Sequence, residues 1–179
     1  DLRALVGGHR PTSFQALLMI CAAMPFVDLR DNLITDDEVA TLADALLRSK
    51  RITRICLAGN CIEAAGTKHL VKALAAPDAP NLITELDLSR NRVWRDGASA
   101  VSDCLGDLAR LLSSSASLST LRLGGSQLSD ELGSQFLLAF TLPKGKPCVS
   151  ALSTLDLSGN LIGTNACGAL CAVLGACPS

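Results

Sequence analysis

Ile52-Thr53-Arg54-Ile55-Cys56-Leu57-Ala58-Gly59-Asn60-Cys61-Ile62 is the stretch from which the architecture follows. Ile55 and Leu57 alternate with Arg54, Cys56 and Ala58, which suits a short strand with one face buried. Asn60 closes it with a side chain that offers one acceptor and two donors, enough to satisfy backbone groups on both sides of a bend. Ile62 returns to the core and Gly66 marks the approach to a helix. On that helix Leu70 and Leu74, four positions apart, share an inner face.

The same phrase occurs at Met24-Val27-Leu29-Asn32-Ile34, Ile83-Leu86-Leu88-Asn91-Val93, Leu118-Leu121-Leu123-Ser126-Leu128 and Leu152-Leu155-Leu157-Asn160-Ile162. Eight and twelve positions beyond the last apolar residue of each phrase come Leu42 and Leu46, Leu70 and Leu74, Val101 and Leu105, Phe136 and Phe140, Leu170 and Leu174. Self-similarity of this kind signals a repeat architecture. One unit cannot bury its inner face alone, so strands must stack in parallel on one side and helices on the other. Helices are wider (about 10 Å) than the strand spacing (about 4.8 Å), which bends the stack so that the sheet is concave.

The repeated phrase resembles the leucine-rich repeat, and the long helical half of each unit resembles its ribonuclease-inhibitor-like subfamily. The expectation is an α/β fold, a right-handed β-α solenoid with a parallel concave sheet and convex helices. It is read as a single domain over residues 1–179, with repeats starting near 24, 52, 83, 118 and 152 and residues 1–23 ending a preceding repeat. The phase of Phe14 and Leu18 against Met24 matches that of Leu42 and Leu46 against Ile52, so this apolar stretch reads as a helix rather than a signal-peptide core. No polar capping repeat stands at either end, which predicts a segment of a longer repeat protein.

From those starts the intervals are 28, 31, 35 and 34 residues. The longer units carry extra residues at 75–81, 106–117 and 142–150, all between helix and next strand. Gly106–Leu112 is predicted to lengthen its helix, with Leu108, Leu111 and Leu112 covering the next unit and Ser113–Ser117 as loop. The fourth unit fits least well, because Gly124-Gly125-Ser126 puts a short hydroxyl where the other units have an amide. Amide exchange near Gly124–Ser126 is therefore expected to be faster than near Asn91 or Asn160.

Sixteen Lys and Arg against seventeen Asp and Glu leave a formal charge of −1, with no basic surplus to neutralise a phosphate backbone. Nucleic acid is thus not expected as the principal partner, and no apolar run approaches the ~18 residues of a membrane span. The eight cysteines form no C-x-x-C pair and mostly fall where other units carry Ala, Val, Thr or Leu. That favours reduced, packed thiols and a cytoplasmic location. Cys167 and Cys171, with Cys177 nearby, could hold zinc, but a fourth ligand is lacking and Cys167 sits at a packing position. His9 and His69 lie on different units, and neither a phosphate loop nor a Ser-His-Asp set is present. No enzyme activity, cofactor or metal is expected.

What remains is the outward set on the strands. Its central column reads Asp28, Cys56, Asp87, Arg122 and Asp156, mostly acidic, with arginines beside it. Phe26 and Trp94 are expected as exposed aromatic anchors. The candidate partner-binding residues are Phe26, Asp28, Arg30, Arg54, Glu85, Asp87, Arg90, Trp94, Arg122 and Asp156. They point to a non-catalytic protein-interaction scaffold whose partner is another protein. The resemblance also admits a GTPase-activating role, for which no isolated arginine finger declares itself. An architectural segment of a larger assembly, burying its ends or its helices, is the third reading.

Overall fold

The computed structural model describes residues 24–76, 82–95, 98–139 and 151–176. Among the described residues, five short strands alternate with five helices in chain order: β1 Phe26–Asp28, α1 Asp36–Arg48, β2 Arg54–Cys56, α2 Ala64–Leu74, β3 Glu85–Asp87, α3 Ala98–Ser114, β4 Thr120–Arg122, α4 Asp130–Leu138, β5 Thr154–Asp156 and α5 Thr164–Ala176. The strands form one parallel sheet in the order β1-β2-β3-β4-β5. Register never shifts, so Val27, Ile55, Leu86, Leu121 and Leu155 stand side by side. This is the β-α solenoid that the repeated phrase predicts.

Strands of three residues cannot persist alone; the core behind them holds them in place. Leu29, Leu57, Leu88 and Leu123 are fully buried one residue beyond each of the first four strands. Ile34, Ile62, Val93 and Leu128 bury the return of the chain toward the helix. Leu42, Leu46, Leu70, Leu74, Val101, Leu105 and Phe136 line the inner helical faces as their spacing predicts. Phe140 and the side chain of Leu174 fall outside the described residues, as do 1–23, 77–81 and 140–150. Leu170 departs from expectation. It is 40% exposed, and Ala166, Ala169 and Val173 carry the buried face of α5 instead. Cys167 and Cys171, expected to pack, are also exposed. Helix α5 meets α4 on one side, and no described element covers the face that bears these three residues.

Helix α3 is lengthened as predicted, with Leu108, Leu111 and Leu112 buried, and it runs on through Ser114 rather than ending at Leu112. Local signals fix the other helix starts. The backbone N–H and Oγ1 of Thr35 donate to the Glu38 carboxylate at 2.9 and 3.2 Å, and Asp36 and Asp37 place negative charge in the first turn of α1. Ser129 Oγ accepts from the Leu132 amide at 3.3 Å to start α4. Among the described residues, no helix is long and apolar enough to cross a membrane.

Candidate functional site: the exposed face of the sheet

Two side-chain ladders hold the strands at their two ends. At the start of each strand, Thr53 Oγ1 donates to Pro25 O, Thr84 Oγ1 to Thr53 O, Ser119 Oγ to Thr84 O and Ser153 Oγ to Ser119 O, all at 3.0–3.1 Å. These hydroxyls lace successive units together. At the far end, Asn60 Oδ1 accepts from the amides of Asn32 and Ile34 at 2.9 and 3.0 Å. Its Nδ2 donates to Leu29 O and Leu57 O at 3.0 and 2.7 Å. Asn160 does the same for Ser126, Leu128, Leu123 and Leu157. Asn91 reaches Ile62 N, Leu57 O and Leu88 O.

Asn60, Asn91 and Asn160 therefore each serve the unit before their own, which relocates the weak point expected at Gly124–Ser126. Ser126 N is held by Asn160. Among the described residues, the Asn91 and Val93 amides, one unit earlier, are the ones that an Asn at position 126 would have reached and that Ser126 does not serve. Ser126 Oγ is itself buried without a hydrogen-bond partner among the described residues.

On the outer face, the strand register aligns two columns. The first reads Phe26, Arg54, Glu85, Thr120 and Thr154; the second reads Asp28, Cys56, Asp87, Arg122 and Asp156. Arg54 lies over the Phe26 ring with Cζ at 4.6 Å from its centroid, a cation–π contact. Arg122 pairs with Glu85 rather than with its strand neighbour Asp87. The pairing pushes the Arg122 pKa up.

The three aspartates of the central column are fixed by one repeated device. Asp28, Asp87 and Asp156 each turn Oδ1 back to the backbone N–H two residues on, at Arg30 (3.3 Å), Ser89 (2.9 Å) and Ser158 (2.9 Å). Asp28 also takes a two-point contact from Arg30, at 2.8 Å from Nε and 2.7 Å from Nη2. The Arg30 side-chain bond holds the Asp28 carboxyl below the usual aspartate range, and the Ser158 amide does so for Asp156. Both are charged at neutral pH with their orientation set in advance.

One member of the central column and one of the ten candidates are placed differently. Cys56 lies in the column but is only 7% exposed, and its Sγ donates to Asp87 Oδ2 at 3.7 Å. Burial pushes its thiol pKa up, so it behaves as part of the floor. Trp94 is no rim anchor. It is 6% exposed and packs on Phe136 with ring centroids 6.1 Å apart, because the chain after Val93 turns inward over the core. The other nine candidates are brought together: Phe26, Asp28, Arg54, Glu85, Asp87, Arg122 and Asp156 stand on the strands, Arg30 bonds Asp28, and the Arg90 guanidinium bonds Asp31.

Sequence reasoning also missed a second inter-unit device. Asp36 Oδ1 accepts from Glu63 N at 2.8 Å, at the start of α2 in the next unit. Asp130 accepts from Gly163, Asn165 and Ala166 amides at 2.8, 3.1 and 2.8 Å, at the start of α5. The Ala166 amide bond is the main cause of the lowered Asp130 pKa. The signal was present: both aspartates stand two residues after the last apolar of their phrase, and Gly66 and Ala166 stand opposite.

His69 is exposed on α2, on the helical side of the molecule. Among the described residues, no three His, Cys, Asp or Glu side chains cluster as metal ligands.

No family model matches the chain. The human "NACHT, LRR and PYD domains-containing protein 13" is 32% identical over 133 residues, 74% of this chain. The mouse protein 9C of the same name series is 26% identical over 119 residues, 66% of this chain. The chain spans 11% of the length of each of these relatives. Among solved structures, actin-binding site 2 of leiomodin-1 superposes with a TM-score of 0.62 at 17% identity, covering 93% of this chain and 88% of that one. The tropomodulin C-terminal domain of Caenorhabditis elegans gives 0.63 at 14%, covering 92% and 93%. At such identity the likeness carries the fold alone: the chain shares a leucine-rich-repeat-like α/β solenoid with these domains.

Proposed function

We propose that the chain is a non-catalytic protein-interaction scaffold whose concave strand face and rim take a protein partner. The observation that carries the reading is the fixed geometry of that face. Asp28, Asp87 and Asp156 stand on alternate strands, about 10 Å apart by strand spacing, each oriented by a backbone amide before any partner arrives. A surface ordered in advance loses less entropy on binding. Charges of both signs along it suit a mixed-charge protein surface and would set register and encounter rate. The leucine-rich repeats in the names of the sequence relatives and the actin-binding title of one structural neighbour support a protein ligand.

The finer assignments rest on the same footing. The long helical half-units support a ribonuclease-inhibitor-like repeat, and the free thiols of Cys56, Cys61, Cys104, Cys167 and Cys171 fit a reducing, cytoplasmic setting. Cross-linking mass spectrometry in cell extract tests the main reading. Cross-links should fall on the strand face and be lost in the Asp87→Arg/Asp156→Arg double variant, while the circular dichroism of that variant stays unchanged. Cross-links confined to the helical face would overturn it. Co-sedimentation with filamentous actin decides whether the leiomodin likeness extends to its ligand.

A second reading, an architectural segment within a larger assembly, is favoured by Leu161 at 68% and Leu170 at 40% exposure on one end of the stack. Cross-links concentrated on α5 would select it.

A further inference from the structure

The four joints between successive units are not equivalent. Three of them carry a backbone bond behind the strands: Cys61 N to Ile34 O, Arg92 N to Ile62 O, and Leu161 N to Leu128 O, at 2.8–2.9 Å. The corresponding Gln127 to Val93 bond is not formed among the described residues. The same joint has Ser126 in place of the ladder Asn. Its hydroxyl is buried and unpartnered among the described residues, and no backbone bond is donated by the Asn91 or Val93 amide across from it among those residues. Helices α1 with α2, α2 with α3, and α4 with α5 pack along their lengths, whereas α3 and α4 scarcely touch. Arg95 occupies the position from which Asp36 and Asp130 cap the helix of the next unit. What fills the gap is the aromatic pair Trp94 and Phe136, with Trp94 Nε1 buried and unpartnered among the described residues.

The strand side of this joint is intact. Leu88 N donates to Arg122 O at 2.9 Å and Arg90 N to Gly124 O at 2.7 Å. Ser119 Oγ bonds Thr84 O, Ser117 Oγ bonds Ile83 O, and Arg122 bridges to Glu85. One edge is tied, and across the other the described residues meet chiefly through apolar packing, which has no directional preference.

From this asymmetry we infer that the solenoid is two rigid plates, units one to three and units four and five, hinged between β3 and β4. Opening parts α3 from α4 and changes the curvature of the sheet. Asp28, Arg54 and Asp87 move as one body, and Arg122 and Asp156 as another, so the spacing of the candidate site is set by the hinge angle. Hinge opening uncovers the Asn91 and Val93 amides and the Trp94 ring.

Trp94 is the single tryptophan of the chain, so its fluorescence reports this joint alone. In a urea titration of the 179-residue chain, Trp94 emission should change at lower urea than the far-ultraviolet circular dichroism. Ser126→Asn supplies the missing acceptor and donors. It should bring the two transitions together, reduce acrylamide quenching of Trp94, and slow exchange of the Asn91 and Val93 amides by about tenfold, as for one buried bond or two. Ser126→Ala removes the orphaned hydroxyl without completing the ladder, and should leave the two transitions apart. Coincident transitions in the natural chain would overturn the hinge. So would Asn91 and Val93 amides as protected there as those of Asn32 and Ile34. If Ser126→Asn does not fold, the natural chain and Ser126→Ala decide the matter.

Discussion

Arg90 Nη2 reaches Asp31 Oδ1 at 3.1 Å, joining the first unit to the third across the turn of the second. The reach is possible because Gly59 lies between them; a Cβ there would stand 2.0 Å from Asp31 Oδ1 and 3.1 Å from Arg90 Nη2. All three residues occupy the same left-handed turn position, with φ of 55°, 69° and 55°.

Gly59→Ala meets both obstacles, strain at positive φ and displacement of the bridge. It should lower stability by about 1–2 kcal/mol in urea denaturation. Asp31→Asn, which loses only an exposed ion pair, should cost no more than about 0.5 kcal/mol. Equal costs would mean that the bridge, not the backbone, sets the glycine requirement.

Asn60→Ala removes four bonds of 2.7–3.0 Å, two of them to amides of the preceding unit. A loss of roughly 3 kcal/mol is expected. Its signature by hydrogen exchange is directional. The Asn32 and Ile34 amides should lose protection while the Ile62 amide, held by Asn91 at 3.2 Å, keeps it.

Phe26 and Trp94 should part company. Trp94→Ala opens a cavity in the core and should cost about 3–5 kcal/mol in equilibrium unfolding. Phe26→Ala, on the strand face, should change stability little, by about 0.5 kcal/mol or less, and weaken binding of the protein that cross-links to that face. A stable Trp94→Ala chain would contradict the burial.

Acid should loosen the joint between units four and five. The folded-state pKa of Asp130 lies below its ordinary value, chiefly through the Ala166 amide. Its contribution is therefore fully present above the ordinary aspartate range, about pH 4, and is lost as pH falls through the depressed folded value. Asp130→Asn should melt earlier than the natural chain at neutral pH, with the difference vanishing in acid. A difference that persists unchanged at low pH would assign the effect to packing.

Much of the fold is legible because it rests on apolar spacing. Ile52, Ile55, Leu57 and Ile62 fix strand, turn and return, and the same offsets recur in every unit. The site is less legible, because alternation says which way a side chain leaves the strand and not what covers it. Cys56 leaves outward and is buried by its neighbours' side chains; Trp94 follows a buried Val93 in a turn whose direction no pattern reveals. The direction of the Asn ladder is likewise invisible, since Asn60 carries the same chemistry toward either neighbour. Leu170 repeats the offset of Leu70, yet its burial depends on a neighbour rather than on its own unit.

The carboxylates of Asp36 and Asp130 make adjacent units into matched lock and key. Gly66 must be bare because a Cβ there would stand 2.3 Å from Asp36 Oδ1; a Cβ at Gly163 would meet Asp130 less severely, at 3.1 Å. Units that read alike are thus not interchangeable parts. A different unit placed after the first would set a side chain against the Asp36 carboxylate, so the order of these two units is written into their joint.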